Sequence, residues 1–327
     1  MIVESDKFKA PKFARILVPT DFSRNAQEAL QFAVLLASQL GAKITLLHVI
    51  EWQIDSKILG ALEFISELNK DAEERAAGRL EKLARATVAA DLLEETVLRF
   101  GQPHLHILEV ANDLNIDLIL ISSKGRTGLR GVLLGCTAAR IVRHALCPVL
   151  TVHPRTEPNS LRAKTPGPGP IINRILVPVV FSDECASSLR FATTLARMMH
   201  AQLVLLHVVL PLPRNYTRHL AEVQECDAQL RADAEQHLKE LAATVPEDLK
   251  TRVLVRQATP YRGIIDAARQ NRCDLIVLPT RGLKGLEHYM LGSTAEKVVR
   301  HAPCPVLTFN RYLTAQRIRR SRIPKPV

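Results

Sequence analysis

The sequence predicts two tandem copies of one α/β domain, each a doubly wound, five-stranded parallel sheet. Short β-branched or leucine-rich runs alternate with helical patterns, which is typical of parallel strands joined by crossover helices. The apolar runs are continuous, as expected for a sheet that helices cover on both faces. The whole pattern occurs twice along the 327 residues, so we expect two separate cores.

The duplication is visible when the sequence is aligned with itself. The matching segments are RILVP (15–19 and 174–178), LLHV (46–49 and 205–208), DLILIS with DLIVLP (117–122 and 274–279), and the closing segments 133–152 and 290–309. The offset between the copies moves only from 159 to 157 residues along the unit. A repeat of this length is a whole domain, so the chain is a tandem pair and not a solenoid of small units.

In the first copy the elements follow one another in the order strand, helix, strand. Strands are predicted near 15–19, 43–49, 94–99, 117–122 and 148–152, and helices near 24–40, 61–90, 103–115 and 136–145. Asp21 and Ser23 favour the start of the first helix, and Pro103 follows Gly101-Gln102 where the third begins. We therefore place the domains at 13–153 and 172–310, with a Pro/Gly-rich linker at 154–171 and a basic tail at 311–327.

The composition predicts a soluble, cytoplasmic protein. The opening residues MIVESDKFKA mix acids with bases and lack the apolar core of a signal peptide. No window approaches the roughly 18 uninterrupted apolar residues of a membrane span. The six cysteines are spread singly, so we expect reduced thiols, with Cys147 and Cys304 buried in apolar strands.

The net charge of +11 lies mostly outside the predicted domains. Six of these charges belong to the tail, two to the linker segment 154–170 and one to the first twelve residues. The domains themselves are nearly neutral, so nucleic-acid binding is not expected of them. The tail has one aromatic residue, Tyr312, and could hold a polyanion only through salt-sensitive backbone contacts.

Two loops carry the polar candidates for a binding site. In an open parallel sheet, ligands bind beyond the carboxyl ends of the strands where the strand order reverses, which points to the loops after the first and fourth strands. These loops read Pro19-Thr20-Asp21-Phe22-Ser23 and Ser122-Ser123-Lys124-Gly125, and the second reaches Gly135-Cys136-Thr137 at the start of the last helix. Glycines let backbone amides approach an anion, and a helix N-terminus adds unpaired N–H groups.

On these residues the chain resembles the universal stress protein family, in its tandem form, over nearly all of 13–153 and 172–310. The resemblance implies a Rossmann-like fold of the adenine nucleotide alpha hydrolase type and a stress-response sensor that binds ATP, ADP or AMP, with or without Mg²⁺. ATP-binding members carry G-x2-G-x9-G-[S/T] after the fourth strand, an Asp after the first and a Val closing the second. The resemblance thus assigns Asp21 to ribose or adenine and the backbone at Val49 to the adenine edge.

Neither copy matches the motif in full. In the first copy the three glycine positions read Ser122, Gly125 and Gly135, and Cys136 replaces the hydroxyl residue, with Thr137 next to it. The second copy reads Pro279, Gly282, Gly292 and Ser293, followed by Thr294, with Val208 closing its second strand. Val180 stands in place of the aspartate, and neither valine nor proline can supply the lost polar contacts. We therefore expect binding mainly in the first domain.

Simpler interpretations remain open for each candidate. The glycines could merely turn the chain, and Asp21 could merely begin a helix. Hydrogen-bonded core imidazoles are the expectation for His48 and His207. His104-x-His106 lacks a third ligand for a metal. Lys124, Arg126 and Arg130 could screen phosphates or be ordinary solvated charges.

The sequence contains no lysine-bearing phosphate loop, nucleophile elbow or HExxH motif. We therefore expect a non-catalytic sensor with at most slow incidental ATP hydrolysis. The alternative is a tandem scaffold that binds no nucleotide and acts through protein partners. In both cases the two domains could pair within one chain through segments 148–152 and 305–309, which would protect an open sheet edge. The protein could also form a homodimer.

Overall fold

The computed structural model describes residues 13–51, 62–125, 134–153, 172–182, 185–212, 220–280 and 291–309. The described residues fall into two compact units, 13–153 and 172–309. Several sequence predictions fall outside the described residues: the linker, the tail, Arg126, Arg130 and Gly282. Within the described part of the chain, no helix is both long enough and apolar enough to span a membrane.

The first unit is a parallel five-stranded sheet in the order β3-β2-β1-β4-β5. Its elements are β1 (Arg15–Pro19), α1 (Arg24–Leu40), β2 (Lys43–Ile50), α2 (Leu62–Thr87), β3 (Leu93–Phe100), α3 (Pro103–Asp113), β4 (Leu118–Ser122), α4 (Cys136–His144) and β5 (Val149–Val152). Right-handed crossovers place α1 and α2 on one face and α3 and α4 on the other. The predicted doubly wound fold is confirmed, because the chain leaves β1 in one direction and β4 in the other.

Local sequence explains where the helices begin and end. The Ser23 side chain accepts a hydrogen bond from the backbone N–H of Ala26 and caps α1. Gly41 ends the same helix with φ 63°, in the left-handed region that glycine adopts most easily. Pro103 occupies the first turn of α3, where no intrahelical N–H is needed. The boundaries predicted from sequence therefore agree with the observed ones to within a few residues.

The second unit repeats this arrangement, with its five strands in the order β10-β9-β6-β7-β8. Its elements are β6 (Arg174–Pro178), α5 (Cys185–Met199), β7 (Gln202–Val209), α6 (Leu220–Ala242), β8 (Thr251–Gln257), α7 (Pro260–Gln270), β9 (Leu275–Pro279), α8 (Ser293–His301) and β10 (Val306–Phe309). All described strand pairs within each sheet are parallel. The ring of Phe191 on α5 stacks on Phe309 of β10, with centroids 4.3 Å apart.

The copies also share a polar clamp at the amino end of their central strands. Asp117 accepts hydrogen bonds from the backbone N–H groups of Ala14 and Arg15, at 3.1 and 3.0 Å. Asp274 accepts the equivalent bonds from Asn173 and Arg174, at 2.8 and 3.0 Å. Each carboxylate thus ties the start of one central strand to the start of its neighbour.

The predicted burial of two cysteines is confirmed. Cys147 and Cys304 are both buried. Burial raises the pKa of the Cys304 thiol well above its usual range, and burial also raises the pKa of Cys273 to about 11. Such thiols stay protonated and are poor nucleophiles.

Candidate functional site

The candidate site lies at the carboxyl ends of β1 and β4, the two adjacent strands from which the chain departs in opposite directions. β1 pairs directly with β4 through Ile16 with Leu118 and Leu17 with Ile119. The loops that follow the two strands start side by side and then diverge toward α1 and α4. This is the place where an open α/β sheet forms a crevice.

Asp21 and Gly125 lie close together where the loops after β1 and β4 begin. The Asp21 Oδ1 atom accepts a hydrogen bond from the backbone N–H of Ser23 at 2.9 Å. Its Oδ2 atom lies only 3.1 Å from the point where a Cβ on Gly125 would stand. The absence of a side chain at Gly125 therefore leaves room for the carboxylate, and the sequence prediction that these residues lie together agrees with the geometry.

Ser122, which stands where the family motif has its first glycine, closes a local turn. Its hydroxyl donates to the Lys124 carbonyl at 2.9 Å and lies 3.3 Å from the Lys124 N–H. Ser123, the next residue, is fully buried, and its backbone carbonyl accepts from the N–H of Gly135 at 2.7 Å. The serine at 122 is thus compatible with a loop that returns to the start of α4.

Gly135 is the N-cap of α4 and makes no side-chain cap hydrogen bond. Its φ of −68° and ψ of 150° are open to any residue, so its backbone conformation does not require glycine. A Cβ there would meet the Ser123 carbonyl oxygen at 3.5 Å and the Gly125 nitrogen at 3.8 Å, which are ordinary contacts. Serine, asparagine or aspartate would cap this helix better. Neither the backbone conformation nor packing against the residues that the structure describes requires glycine here.

Cys136 and Thr137 form the first turn of α4. Cys136 is exposed and Thr137 is half-buried, and the Cys136 sulfur lies 4.0 Å from the Thr137 hydroxyl oxygen. The backbone N–H groups of a first helical turn have no acceptor within the helix. The amides of Cys136 and Thr137 at the start of α4 are therefore suited to an anion.

Val49 lies two residues beyond the last ladder contact between β2 and β1. The backbone N–H of Thr20 donates to Leu47 at 2.8 Å, and alternate residues of a parallel strand direct their backbone groups to the same neighbour. The N–H and C=O of Val49 therefore point past the end of β1, beside Pro19 and Thr20. That orientation suits the recognition of a flat polar edge.

The corresponding loop of the second unit differs where the aspartate is missing. The side chain of Val180 is 44% exposed and that of Phe181 is 39% exposed. Gly292 again caps its helix without a side-chain bond and donates to the Thr280 carbonyl at 2.8 Å, with Ser293 and Thr294 in the first turn. Val208 is half-buried, and its methyl groups lie 2.8 and 2.9 Å from where a Cβ on Gly263 would stand. The second unit therefore retains a glycine at the N-terminus of the last helix but lacks the carboxylate that Asp21 supplies in the first unit.

The remaining histidines have structural contacts. The ring of His106 bonds Glu109 at 2.9 Å and lies over Gly101, while the Arg140 guanidinium lies 3.3 Å from the ring nitrogens of His104. Burial, followed by the charge of Arg140, lowers the pKa of His104. In the portions of the chain that the structure describes, no three histidine, cysteine or carboxylate side chains gather as metal ligands.

His207 is expected to titrate below an exposed histidine. Burial lowers its pKa, the hydrogen bond to the Val179 carbonyl opposes this, and the charge of His237 lowers it further. The pKa of His207 is lower in the folded state than in the unfolded state. Its contribution to the free energy of unfolding is therefore present above the ordinary histidine pKa and is lost as the pH falls through that range. An NMR titration of the full chain should give a midpoint that rises in His237→Gln. An unchanged or lower midpoint would contradict the statement that the charge of His237 lowers the pKa of His207.

Three residues near the site were not assigned to it from sequence. Phe22 packs against His48 with ring centroids 4.3 Å apart, and the Arg79 guanidinium lies 4.3 Å from the centroid of the Phe22 ring. Ser123 is the third, through its carbonyl contact with Gly135. Phe22 could have been suggested by its position directly after Asp21 in the sequence. Arg79 could not, because it is distant in sequence and only the fold brings it near.

The fold and this crevice define a tandem pair of doubly wound α/β domains with a polar site at the switch point of the first sheet. A family model described as the universal stress protein family matches residues 12–153 and 172–310. The chain therefore belongs to the universal stress protein family, as the motifs predicted.

Individual relatives agree with this assignment. Universal stress protein MJ0531 of Methanocaldococcus jannaschii is 32% identical over 145 residues, which cover 43% of this chain and 82% of that protein. MJ0577 of the same organism is 29% identical over 153 residues, covering 43% and 94%. A crystal structure of a universal stress protein from Archaeoglobus fulgidus has a TM-score of 0.59 at 22% identity, covering 92% of this chain and 98% of that one, and it supports the fold alone.

Proposed function

We propose that the first unit binds an adenine nucleotide (ATP, ADP or AMP) and that the protein acts as a nucleotide-dependent regulator in a stress response. The observation that carries the proposal is Gly135, a helix N-cap at which neither the backbone conformation nor any contact with the described residues requires glycine. Close approach of a phosphate to backbone amides explains it, because a Cβ at this position would intrude between ligand and amide.

The other residues have complementary roles. Phosphates would bind the amides of Gly125, Cys136 and Thr137 beside Gly135, whose own N–H donates to Ser123, and Mg²⁺, where present, would arrive with the triphosphate. The Asp21 carboxylate would accept from the ribose hydroxyls or adenine, and the Val49 backbone would pair with the adenine edge. No base or phosphate-loop lysine is assigned to this crevice, so the proposed role is sensing and not phosphoryl transfer.

A second candidate function is favoured for the second unit. Its loop after β6 leaves Val180 and part of the Phe181 ring exposed, and an exposed apolar pair of this kind is suited to contact with a protein partner. Under this alternative the second unit is a scaffold, and its weaker nucleotide site, comprising Val208, Gly282, Gly292, Ser293 and Thr294, contributes little.

Calorimetric titration of the full chain with ATP, ADP and AMP tests the proposal. The wild type should bind near one equivalent, and Asp21→Ala should weaken binding by about thirtyfold, because a hydrogen bond to a charged group contributes about 2 kcal/mol. Asp21→Asn, which keeps the shape and loses the charge, should fall between the two.

The control variant that matches Asp21→Ala lies in the second copy. Val180→Ala alters the equivalent position, where no carboxylate exists, and should leave the affinity unchanged. Absence of nucleotide binding in the wild type would refute the proposal, and binding that survives Asp21→Ala at full affinity would move the site elsewhere.

A further inference from the structure

The loop that presents Asp21 has an uncommon backbone conformation. Phe22 has φ 62°, in the left-handed region that residues with a Cβ adopt at a cost in free energy. Two local hydrogen bonds support it: the Phe22 N–H donates to the Thr20 hydroxyl oxygen at 3.1 Å and the Ser23 N–H donates to Asp21 at 2.9 Å. A strained loop persists only where its surroundings hold it.

His48 contacts this loop on both sides of Asp21. Its Nδ1 atom lies 2.7 Å from the Thr20 carbonyl oxygen. A carbonyl only accepts, so Nδ1 carries the proton and donates. The same imidazole packs against the ring of Phe22 at 4.3 Å between centroids, with an interplanar angle of 44°. One side chain from β2 therefore fixes the residue before Asp21 and the residue after it.

The second unit provides an internal comparison. The Nδ1 atom of His207 lies 3.0 Å from the Val179 carbonyl oxygen, and the ring of Phe181 stacks on it at 4.2 Å. The histidine therefore makes the same two contacts there, around Val180, whose side chain is exposed. The histidine contacts belong to both copies, but only the first has a carboxylate between them, and that carboxylate reaches Gly125.

We infer that His48 is a positioning residue for the nucleotide site: its imidazole holds Thr20 and Phe22 so that the Asp21 carboxylate faces Gly125. Arg79 assists by covering the Phe22 ring, with its guanidinium carbon 4.3 Å from the ring centroid. The consequence for ligand affinity rests on the proposed function, whereas the effect on the loop does not. His48 touches no ligand in this scheme and acts only through the loop.

Amide hydrogen exchange on the full chain tests the loop directly. In His48→Leu, which removes the donor and the aromatic ring, the N–H groups of Phe22 and Ser23 should exchange about tenfold faster, because a typical hydrogen bond is worth about one factor of ten. His48→Asn places a donor near the Nδ1 position and should restore exchange to within about threefold of wild type. ATP affinity should fall in His48→Leu and recover in His48→Asn, in parallel with the exchange rates.

His207→Leu is the matched control, since it removes the same contacts from the second unit. It should leave exchange at Phe22 and Ser23, and ATP affinity, unchanged. Should His48→Leu fail to fold, as judged by its thermal transition, Phe22→Leu removes the ring contacts with His48 and Arg79, keeps the His48 hydrogen bond to Thr20, and should also speed exchange at Ser23.

Two results would overturn the inference. One is unchanged exchange at Phe22 and Ser23 in His48→Leu, and the other is an equal effect from His207→Leu, which would indicate a general loss of stability. If the wild type binds no adenine nucleotide, the proposed function fails by itself, and the exchange comparison still decides whether His48 holds the loop.

Discussion

Gly135→Val is expected to abolish measurable nucleotide binding, a loss of at least about a hundredfold, because steric exclusion of a phosphate from its amides removes several charge-assisted hydrogen bonds at once. The Cβ itself fits, at 3.5 Å from the Ser123 carbonyl oxygen. The Gly125 nitrogen lies 3.8 Å from that Cβ position, so a branched side chain would occupy the space beside this amide. Titration calorimetry with ATP measures the effect.

Two controls separate this effect from damage to the fold. Gly135→Ala adds only the tolerated Cβ, so it should fold normally and bind with intermediate affinity. Gly292→Val makes the same change at the N-cap of α8 in the second unit and should leave binding to the first unit intact. Wild-type affinity in Gly135→Val would show that the nucleotide does not approach the start of α4.

The largest effect on stability is expected from Phe191→Ala. Phe191 is almost fully buried and stacks on Phe309 at 4.3 Å with the rings 14° from parallel. Removing a buried phenyl ring leaves a cavity and should cost about 3–5 kcal/mol of unfolding free energy. Denaturation with urea, followed by circular dichroism, measures the loss in the full chain.

Leu230→Ala is the matched surface change in the same unit. Leu230 lies on α6 with 39% of its surface exposed, so its removal should alter the unfolding free energy by no more than about 0.5 kcal/mol. If Phe191→Ala cost as little as Leu230→Ala, the aromatic stack would not be part of a packed core.

Most of the fold could be predicted from sequence because its signals are local or repetitive. The continuous apolar run of β4, Leu118–Ser122, is buried along its whole length, as its composition predicted. Ser23 caps α1 and Pro103 begins α3 because capping depends on residues only a few positions apart. The duplication then transferred each of these assignments to the second unit.

The candidate site could be predicted only in part. The two loops could be located because the topology of an alternating α/β sequence places the ends of β1 and β4 together. The resemblance to the family motif then singled out Asp21, Gly125 and Gly135 within them. The turn made by the Ser122 hydroxyl with Lys124 could not be predicted, since it depends on a side-chain rotamer. The contacts of Arg79 with Phe22 could not be predicted either, because 57 residues separate them along the chain.

The amino-acid sequence by itself determined the tandem α/β architecture, the family and the pair of loops that carry the candidate site. Hydrophobic periodicity and glycine spacing are properties of neighbouring residues, so they can be read without coordinates. Only the tertiary structure decided that His48 contacts the residues before and after Asp21. It also decided that Val180, which lies between the equivalent contacts of His207, is exposed. The direction of a side chain depends on packing between distant segments, and those segments meet only when the chain has folded.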